Sequence, residues 1–110
     1  RVVGDAAAWR AEWETIVSPM APTPALPAVD FGRESVVIVG AGTRSSGGWS
    51  VRIDGVDAGA RDEATVRYTV SGPGAGCMTT QALTSPVHVV RVARPRLRAR
   101  FVAREVTTPC

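Results

Sequence analysis

The sequence predicts a mainly β domain, a small antiparallel β-sandwich or partly open barrel with one N-terminal α-helix. Three observations predict this class. The 110 residues suit a single domain with one modest core. Only 5% of the residues are aromatic, so valine and alanine must fill most of the core, and valine favours strands. No helical pattern falls between the predicted strands, which excludes a parallel sheet built from strand–helix–strand units.

The N-terminal segment predicts a helix over residues 5–18, followed by a proline-rich strap over residues 19–33. Asp5 can cap the helix, and apolar residues at i, i+4, i+7 and i+8 form one stripe along it. The stripe consists of Trp9, Trp13, Ile16 and Val17. Burying the two tryptophans would contribute roughly 3 to 5 kcal/mol, so we expect the helix to be integral to the domain. The prolines of the strap cannot join the interior of a sheet.

The β-sheet core is predicted over residues 34–104, with a tail over residues 105–110. The run "SVVIV" is apolar throughout, which is typical of a strand covered on both faces. "GWSVRIDGV" and "ATVRYTV" alternate apolar and polar residues, as strands with one exposed face do. A glycine-rich loop separates them from "PVHVVRV" and "RLRARFVARE". These five segments predict five strands, some of them joined by hairpins.

The glycine-rich stretch after the first of these strands resembles a nucleotide-binding loop in its first half only. Gly40 and Gly42 fit the dinucleotide fingerprint, but Ser45 stands at the third glycine position and no helix follows. The loop is therefore interpreted as a turn between antiparallel strands. His88, the only histidine, lies among strand valines and is interpreted as structural. We expect no catalytic centre, no cofactor and no metal site.

The charge pattern offers one candidate surface for an anionic partner. All 13 basic residues are arginine, and the formal net charge is +3. The strand Arg94–Arg100 would place alternate arginines on one face. No aromatic residue lies among them, and Phe101 belongs to the opposite face, so the stacking platform of a nucleic-acid binder is missing. The favoured interpretation is an arginine-coated edge strand that resists self-pairing, and nucleic acid is not an expected partner.

The two cysteines, Cys77 and Cys110, predict a disulfide bond. It would close a ring of about 34 residues and contribute roughly 3 to 4 kcal/mol. Such a bond implies an oxidising, extracytoplasmic compartment, whereas unpaired structural cysteines are the alternative. No apolar run approaches the roughly 18 residues that cross a bilayer, so no membrane span is expected in this segment. The chain starts at Arg1, so a signal peptide or lipid anchor would lie upstream.

The order of short motifs resembles one known family. An Asp-Phe pair precedes the apolar strand, a glycine-rich turn carrying an arginine and an aromatic residue follows it, and Thr-x-Pro enters a late strand. These residues are Asp30, Phe31, Gly42, Arg44, Gly47, Gly48, Trp49, Thr84 and Pro86. Together with the tryptophan-bearing helix, they resemble the C-terminal domain of the protease complex subunit PrcB family. In this chain Ser45 and Ser46 replace a Pro-Thr pair, Trp49 replaces a tyrosine, and Val87 stands where a tyrosine is frequent.

The resemblance implies a non-enzymatic accessory domain outside the cytoplasm that stabilises or docks onto a secreted or surface protease. The expected contact surface comprises the loop Thr43–Trp49 and the facing loop Gly72–Ser85. The candidate partner-binding residues are Arg44, Ser45, Ser46, Trp49, Met78 and Thr84.

A second resemblance is to chagasin-type inhibitors of cysteine peptidases, which present an Asn-Pro-Thr-Thr-Gly-Tyr loop between strands. "TRSSGGW" has a comparable setting, although the Asn-Pro and an Arg-Pro-Trp loop are missing. The alternative function is therefore a protease inhibitor that presents the 43–49 loop.

Overall fold

The computed structural model describes residues 1–109, which fold into one helix and six strands. Helix α1 spans Ala6–Val17. The strands are β1 (Val2–Val3), β2 (Ser35–Gly40), β3 (Ser50–Ala58), β4 (Glu63–Pro73), β5 (Val87–Val92) and β6 (Arg98–Thr108). They form two three-stranded sheets that do not close into a barrel. The predicted class, mainly β with one N-terminal helix, is confirmed.

The first sheet has the strand order β1-β2-β5, and the second sheet has the order β3-β4-β6. The pairs β1–β2, β2–β5 and β3–β4 are antiparallel, and the antiparallel arrangement was predicted for the strands from β2 onward. The pair β4–β6 is parallel, in register from Glu63 beside Arg98 to Pro73 beside Thr108. The sequence predicted antiparallel strands, and this pairing departs from it because the chain passes through β5 in the first sheet before it returns as β6.

Strand β2 is the centre of the molecule and is buried on both of its faces. Val36 and Ile38 pack with Trp9 in the cluster beneath the helix. Val37 and Val39 pack with Val66 of β4 in the cluster between the two sheets. Since successive side chains of a strand point to opposite faces, one apolar run serves both clusters. The predicted doubly covered strand is confirmed.

The helix and the strap are held together by the two tryptophans. The Asp5 carboxylate accepts a hydrogen bond from the backbone N–H of Ala8 and caps α1. The indole N–H of Trp9 donates to the carbonyl oxygen of Pro27 at 3.1 Å, and that of Trp13 donates to Pro24 at 3.2 Å. Because the strap pairs with no strand, these carbonyls have no partner in a sheet, and the indoles supply donors to them while the rings bury apolar surface.

Three further parts of the strand prediction need correction. The strand predicted over Arg94–Arg100 begins only at Arg98, because residues 93–97, which include Pro95, form bends and irregular structure. Arg94 and Arg96 therefore do not share a strand face with Arg98 and Arg100.

Residues 105–108 were predicted as a tail, but β6 continues to Thr108 because its pairing with β4 extends that far. Strand β1 was not predicted, since Val2 and Val3 are too short a segment to show alternation. They form a strand through pairing with β2, in which Val2 lies beside Val37 and Val3 lies beside Val36.

His88 joins the two sheets, and its predicted structural role is confirmed. Its Nδ1 accepts a hydrogen bond of 2.8 Å from the backbone N–H of Ile53 in β3. Strand β3 is an edge of the second sheet, so this N–H has no strand neighbour on that side. The imidazole of β5 therefore satisfies a backbone donor that the sheet itself leaves open.

Candidate interaction surface

Two loops meet at one end of the molecule and are hydrogen-bonded to each other. They are residues 41–49, between β2 and β3, and residues 74–86, between β4 and β5; together they are called the loop pair. The N–H of Arg44 donates to the carbonyl oxygen of Thr84 at 2.8 Å, and the N–H of Thr84 donates to Arg44 at 2.9 Å. The N–H of Gly47 donates to Thr80 at 2.9 Å. These bonds extend the β2–β5 pairing beyond the sheet, so the two loops form one unit.

Side chains reinforce this connection. The hydroxyl of Thr84 donates to the carbonyl oxygen of Ser46 at 2.8 Å in a partly buried position. The hydroxyls of Thr43 and Ser85 lie 3.3 Å apart at the exposed rim. Ser46 and Thr84, both predicted to bind a partner, therefore contribute mainly to the contact between the loops.

Arg44 and Trp49 form the second part of the loop pair. The guanidinium carbon of Arg44 lies 4.2 Å from the centre of the Trp49 ring, a cation–π contact. The Nε of Arg44 donates to the carbonyl oxygen of Ala41 at 2.8 Å, and Nη2 lies 3.5 Å from Glu105 of β6. The Trp49 ring also packs on Gly72, where an added Cβ would lie 2.5 Å from Cζ3 of the ring. Both predicted residues are thus half-buried and held from several sides.

The glycines of the turn allow this close approach. Gly48 has a φ of +87°, a backbone conformation that glycine adopts far more readily than other residues. Gly47 lies so close to Thr80 that a Cβ would overlap with the threonine hydroxyl. The sequence predicted a turn between antiparallel strands here, which is wrong, because β2 and β3 belong to different sheets. The Gly-Gly pair instead lies in a connection between the sheets and allows the 41–49 loop to lie against its neighbour.

The remaining candidates are displayed to solvent. The Met78 side chain is 100% exposed, and Ser45 is exposed as well. Sequence reasoning missed Leu83, which is 77% exposed in the same loop. Its signal was present, since an apolar residue in a loop rich in threonine and glycine has no strand or helix to bury it. The loop pair thus presents two large apolar side chains on a hydrogen-bonded framework.

Three side chains with shifted pKa values lie elsewhere, on the face of the second sheet that points away from the first sheet. This face is called the outer face. The hydroxyl of Thr69 donates to the Asp54 carboxylate and, with Arg52, lowers the pKa of Asp54. The hydrogen bond and charge of Arg67 lower the pKa of Asp57, and the carboxylate in turn raises the pKa of Arg67. These groups are exposed ion pairs that balance one another across the strands.

Within residues 1–109, no group of three or more histidine, cysteine, aspartate or glutamate side chains is placed to hold a metal ion. No helix in this described part of the chain is long and apolar enough to cross a membrane. The loop pair itself offers apolar contact, cation–π stacking and backbone hydrogen bonding.

The family model of the PrcB C-terminal domain matches residues 35–93, which is more than half of the 110-residue chain. The chain belongs to the PrcB C-terminal family. The resemblance found in the sequence is thereby confirmed. The matched part of this PrcB C-terminal domain runs from β2 to β5 and contains the whole loop pair, whereas α1, the strap and β6 lie outside it. No curated protein and no solved structure matches the chain.

Cys77 lies in the loop pair of this PrcB C-terminal domain, beside the end of β6. Its Sγ is 4.0 Å from the carbonyl oxygen of Thr108, and the N–H of Gly74 donates to the same oxygen at 3.0 Å. Cys110 lies outside the described residues. The Cys77–Cys110 disulfide therefore stays a prediction.

Proposed function

We propose that this PrcB C-terminal domain is a non-catalytic interaction module that works outside the cytoplasm and docks onto a secreted protease complex through the loop pair. Membership of the family suggests an accessory role in a protease complex. The observation that carries the proposal is the combination of two loops hydrogen-bonded to each other with largely exposed apolar side chains on them. Met78 and Leu83 are these side chains.

The hydrogen bonds between the two loops support docking for an energetic reason. Ordering flexible loops on binding costs free energy, and loops that are already ordered avoid much of that cost. Methionine, tryptophan and arginine are enriched at the centres of protein interfaces. The loop pair contains these three residue types, as Met78, Trp49 and Arg44. Solvent-exposed apolar side chains also gain the most from being covered by a partner.

The extracytoplasmic location rests on the proposed Cys77–Cys110 disulfide. An intact mass lower than that of the reduced chain by two hydrogen atoms would support it. Two free thiols in protein purified from its native compartment would contradict both the bond and the location. Since Gly74 and Thr108 already hold the Cys77 loop to the end of β6, the bond would reinforce a contact that the backbone makes.

Site-specific crosslinking tests the docking surface. A photoreactive amino acid is placed at Met78 or, as the matched control, at Ala60 in the exposed turn at the opposite end of β3 and β4. The proposal predicts that the position at Met78 crosslinks to a protease subunit secreted by the same cells and that the position at Ala60 does not. Equal crosslinking from both positions, or none from Met78 when the complex is purified intact, would contradict it.

The chagasin-type inhibitor function lacks a comparable supporting observation. An inhibitory wedge needs an aromatic ring that projects from its loop, whereas Trp49 packs on Gly72 and beneath Arg44. We therefore expect papain to keep its activity in the presence of micromolar domain. Inhibition that is lost in Trp49→Ala would favour the inhibitor instead.

A further inference from the structure

The second sheet ends in a long strand with a free edge. Strand β6 runs from Arg98 to Thr108 and pairs with β4. Within residues 1–109, no other strand pairs with it. About half of its backbone N–H and C=O groups therefore point away from the sheet, which makes the edge a template for another extended chain.

The first sheet does not extend over this edge. Val66 of β4 is fully buried between the sheets, but its register neighbour Phe101 on β6 is 36% exposed. Val102, on the outer face, is 45% exposed. Apolar side chains thus lie open on both faces of β6, where an added strand would place its own side chains beside them.

Within residues 1–109, part of the positive charge on the outer face of this edge has no carboxylate partner. Arg52 pairs with Asp54 and Arg67 pairs with Asp57, so the arginines on β3 and β4 have carboxylate partners. On β6, Arg98 lies 3.4 Å from Glu63.

Arg100 and Arg104 lie further along the same face, on either side of Val102. In the part of the chain that the structure describes, neither of them has a carboxylate within ion-pair distance. Charge complementarity therefore favours an incoming chain with carboxylates at alternate positions.

We propose that β6 binds an extended acidic segment of a partner protein, which adds to the second sheet as a fourth strand. A second copy of this chain fits less well. An antiparallel self-pairing centred on Val102 would set Arg100 opposite Arg104, and like charges placed opposite one another destabilise a sheet. Strand addition supplies backbone hydrogen bonds for affinity and alternate side chains for specificity.

The inference rests on the proposed function in one respect, that the domain binds proteins. It adds a surface outside the family match, and it names the chemistry of the segment bound there. Glu105 of β6 reaches Arg44 of the loop pair, so a partner could contact both surfaces at once. Each surface nevertheless has its own variants, which allows the two proposals to fail separately.

A peptide probe tests the strand addition. A fluorescent peptide of about nine residues, alternating glutamate and valine, is titrated with the whole chain and followed by fluorescence anisotropy. One control peptide carries lysine in place of glutamate. Another carries N-methyl groups on two adjacent central residues, which removes donors from both edges and keeps the charge. We expect both controls to bind about tenfold more weakly or worse. Equal binding of the N-methylated peptide would overturn the proposal, because charge attraction alone would then explain it.

Variants of the protein locate the site. Arg100→Glu with Arg104→Glu should reverse the preference, so that the lysine peptide binds more tightly. Both side chains are exposed, and circular dichroism checks that the variant folds. The matched control, Arg10→Glu with Arg33→Glu, makes the same change in net charge at other exposed positions and should keep the affinity for the acidic peptide within about twofold. Equal losses in the two double variants would overturn the assignment to β6.

Two further measurements distinguish strand addition from polyanion binding and from docking through the loop pair. A single-stranded oligonucleotide of equal charge that binds more tightly than the peptide would make the edge a polyanion site and overturn the proposal. Met78→Glu should leave peptide binding unchanged, because Met78 lies on the loop pair. If Met78→Glu abolishes docking to the protease complex while the acidic peptide still binds β6, the two surfaces act independently. If docking depends on Met78 and no peptide binds β6, the strand addition fails and the proposed function stands.

Discussion

Removing the hydroxyl of Thr84 should loosen the loop pair without changing its packing. Valine has nearly the same shape as threonine, so Thr84→Val deletes one hydrogen bond and little else. The hydroxyl donates to the Ser46 carbonyl at 2.8 Å in a partly buried position. A typical hydrogen bond contributes about 1 kcal/mol to stability, and a carbonyl left without a partner adds to the loss. We therefore expect Thr84→Val to lower the free energy of unfolding by about 1 to 2 kcal/mol. For a domain of this size, each kcal/mol corresponds to roughly 4 °C in Tm.

The same substitution at Thr43 provides the control. Its hydroxyl lies 3.3 Å from that of Ser85 at an exposed position, where water can replace the hydrogen bond. Thr43→Val should therefore lower the free energy of unfolding by less than about 0.5 kcal/mol. Urea denaturation of both variants measures the free energy of unfolding, and amide hydrogen exchange at Gly47 reports the contact between the loops. Equal destabilisation by the two substitutions, or unchanged exchange at Gly47 in Thr84→Val, would refute the conclusion that this bond joins the loops.

Three other predictions concern the framework beneath the loop pair. His88→Leu should lower the free energy of unfolding by about 1 to 3 kcal/mol, because it leaves the N–H of Ile53 without an acceptor. His88→Asn can keep an acceptor near the same place and should lower it less. Equal losses of the two variants in urea denaturation would contradict this role of His88. Val66→Ala should lower the free energy of unfolding by about 2 kcal/mol, since the side chain is fully buried between the sheets. A fall in Tm of less than about 2 °C would contradict this, because it would mean that Val66 is not closely packed in the core. The lowered pKa values of Asp54 and Asp57 mean that the folded chain releases these protons more readily than the unfolded chain. The two carboxylates therefore stabilise the folded chain at neutral pH, and this stabilisation is lost as the pH falls below about 4. Replacing both aspartates with asparagine should reduce the loss of stability between pH 7 and pH 3. If the loss of stability were unchanged in this variant, the ion-pair account would be contradicted.

Local patterns in the sequence were sufficient to predict much of the fold. The unbroken run at Val36–Val39 indicated a strand covered on both faces, and the structure places the helix on one side and the second sheet on the other. Asp5 indicated the start of the helix, and the prolines indicated the strap. These features depend on residues close together in the chain, where periodicity and backbone restrictions act directly.

Pairings between distant residues could not be predicted in this way. The parallel β4–β6 pair depends on which sheet receives β5, and no local pattern encodes that choice. The candidate site shows the same limit. Arg44 and Thr84 were predicted to contact a partner, yet they bond to each other across 40 positions of sequence. Leu83 was missed although its place in a loop, with no strand or helix to bury it, indicated that it would be exposed.

The central claim, that the loop pair is the docking surface, is tested most directly by the affinity of the domain for the protease complex secreted by the same cells. Met78→Glu with Leu83→Glu places two charges where the apolar side chains are most exposed, and Ala60→Glu at the opposite end of the molecule serves as the control. The account predicts that the double variant binds about tenfold more weakly or worse, while Ala60→Glu binds as the unaltered domain does. Equal affinity of all three proteins would contradict it.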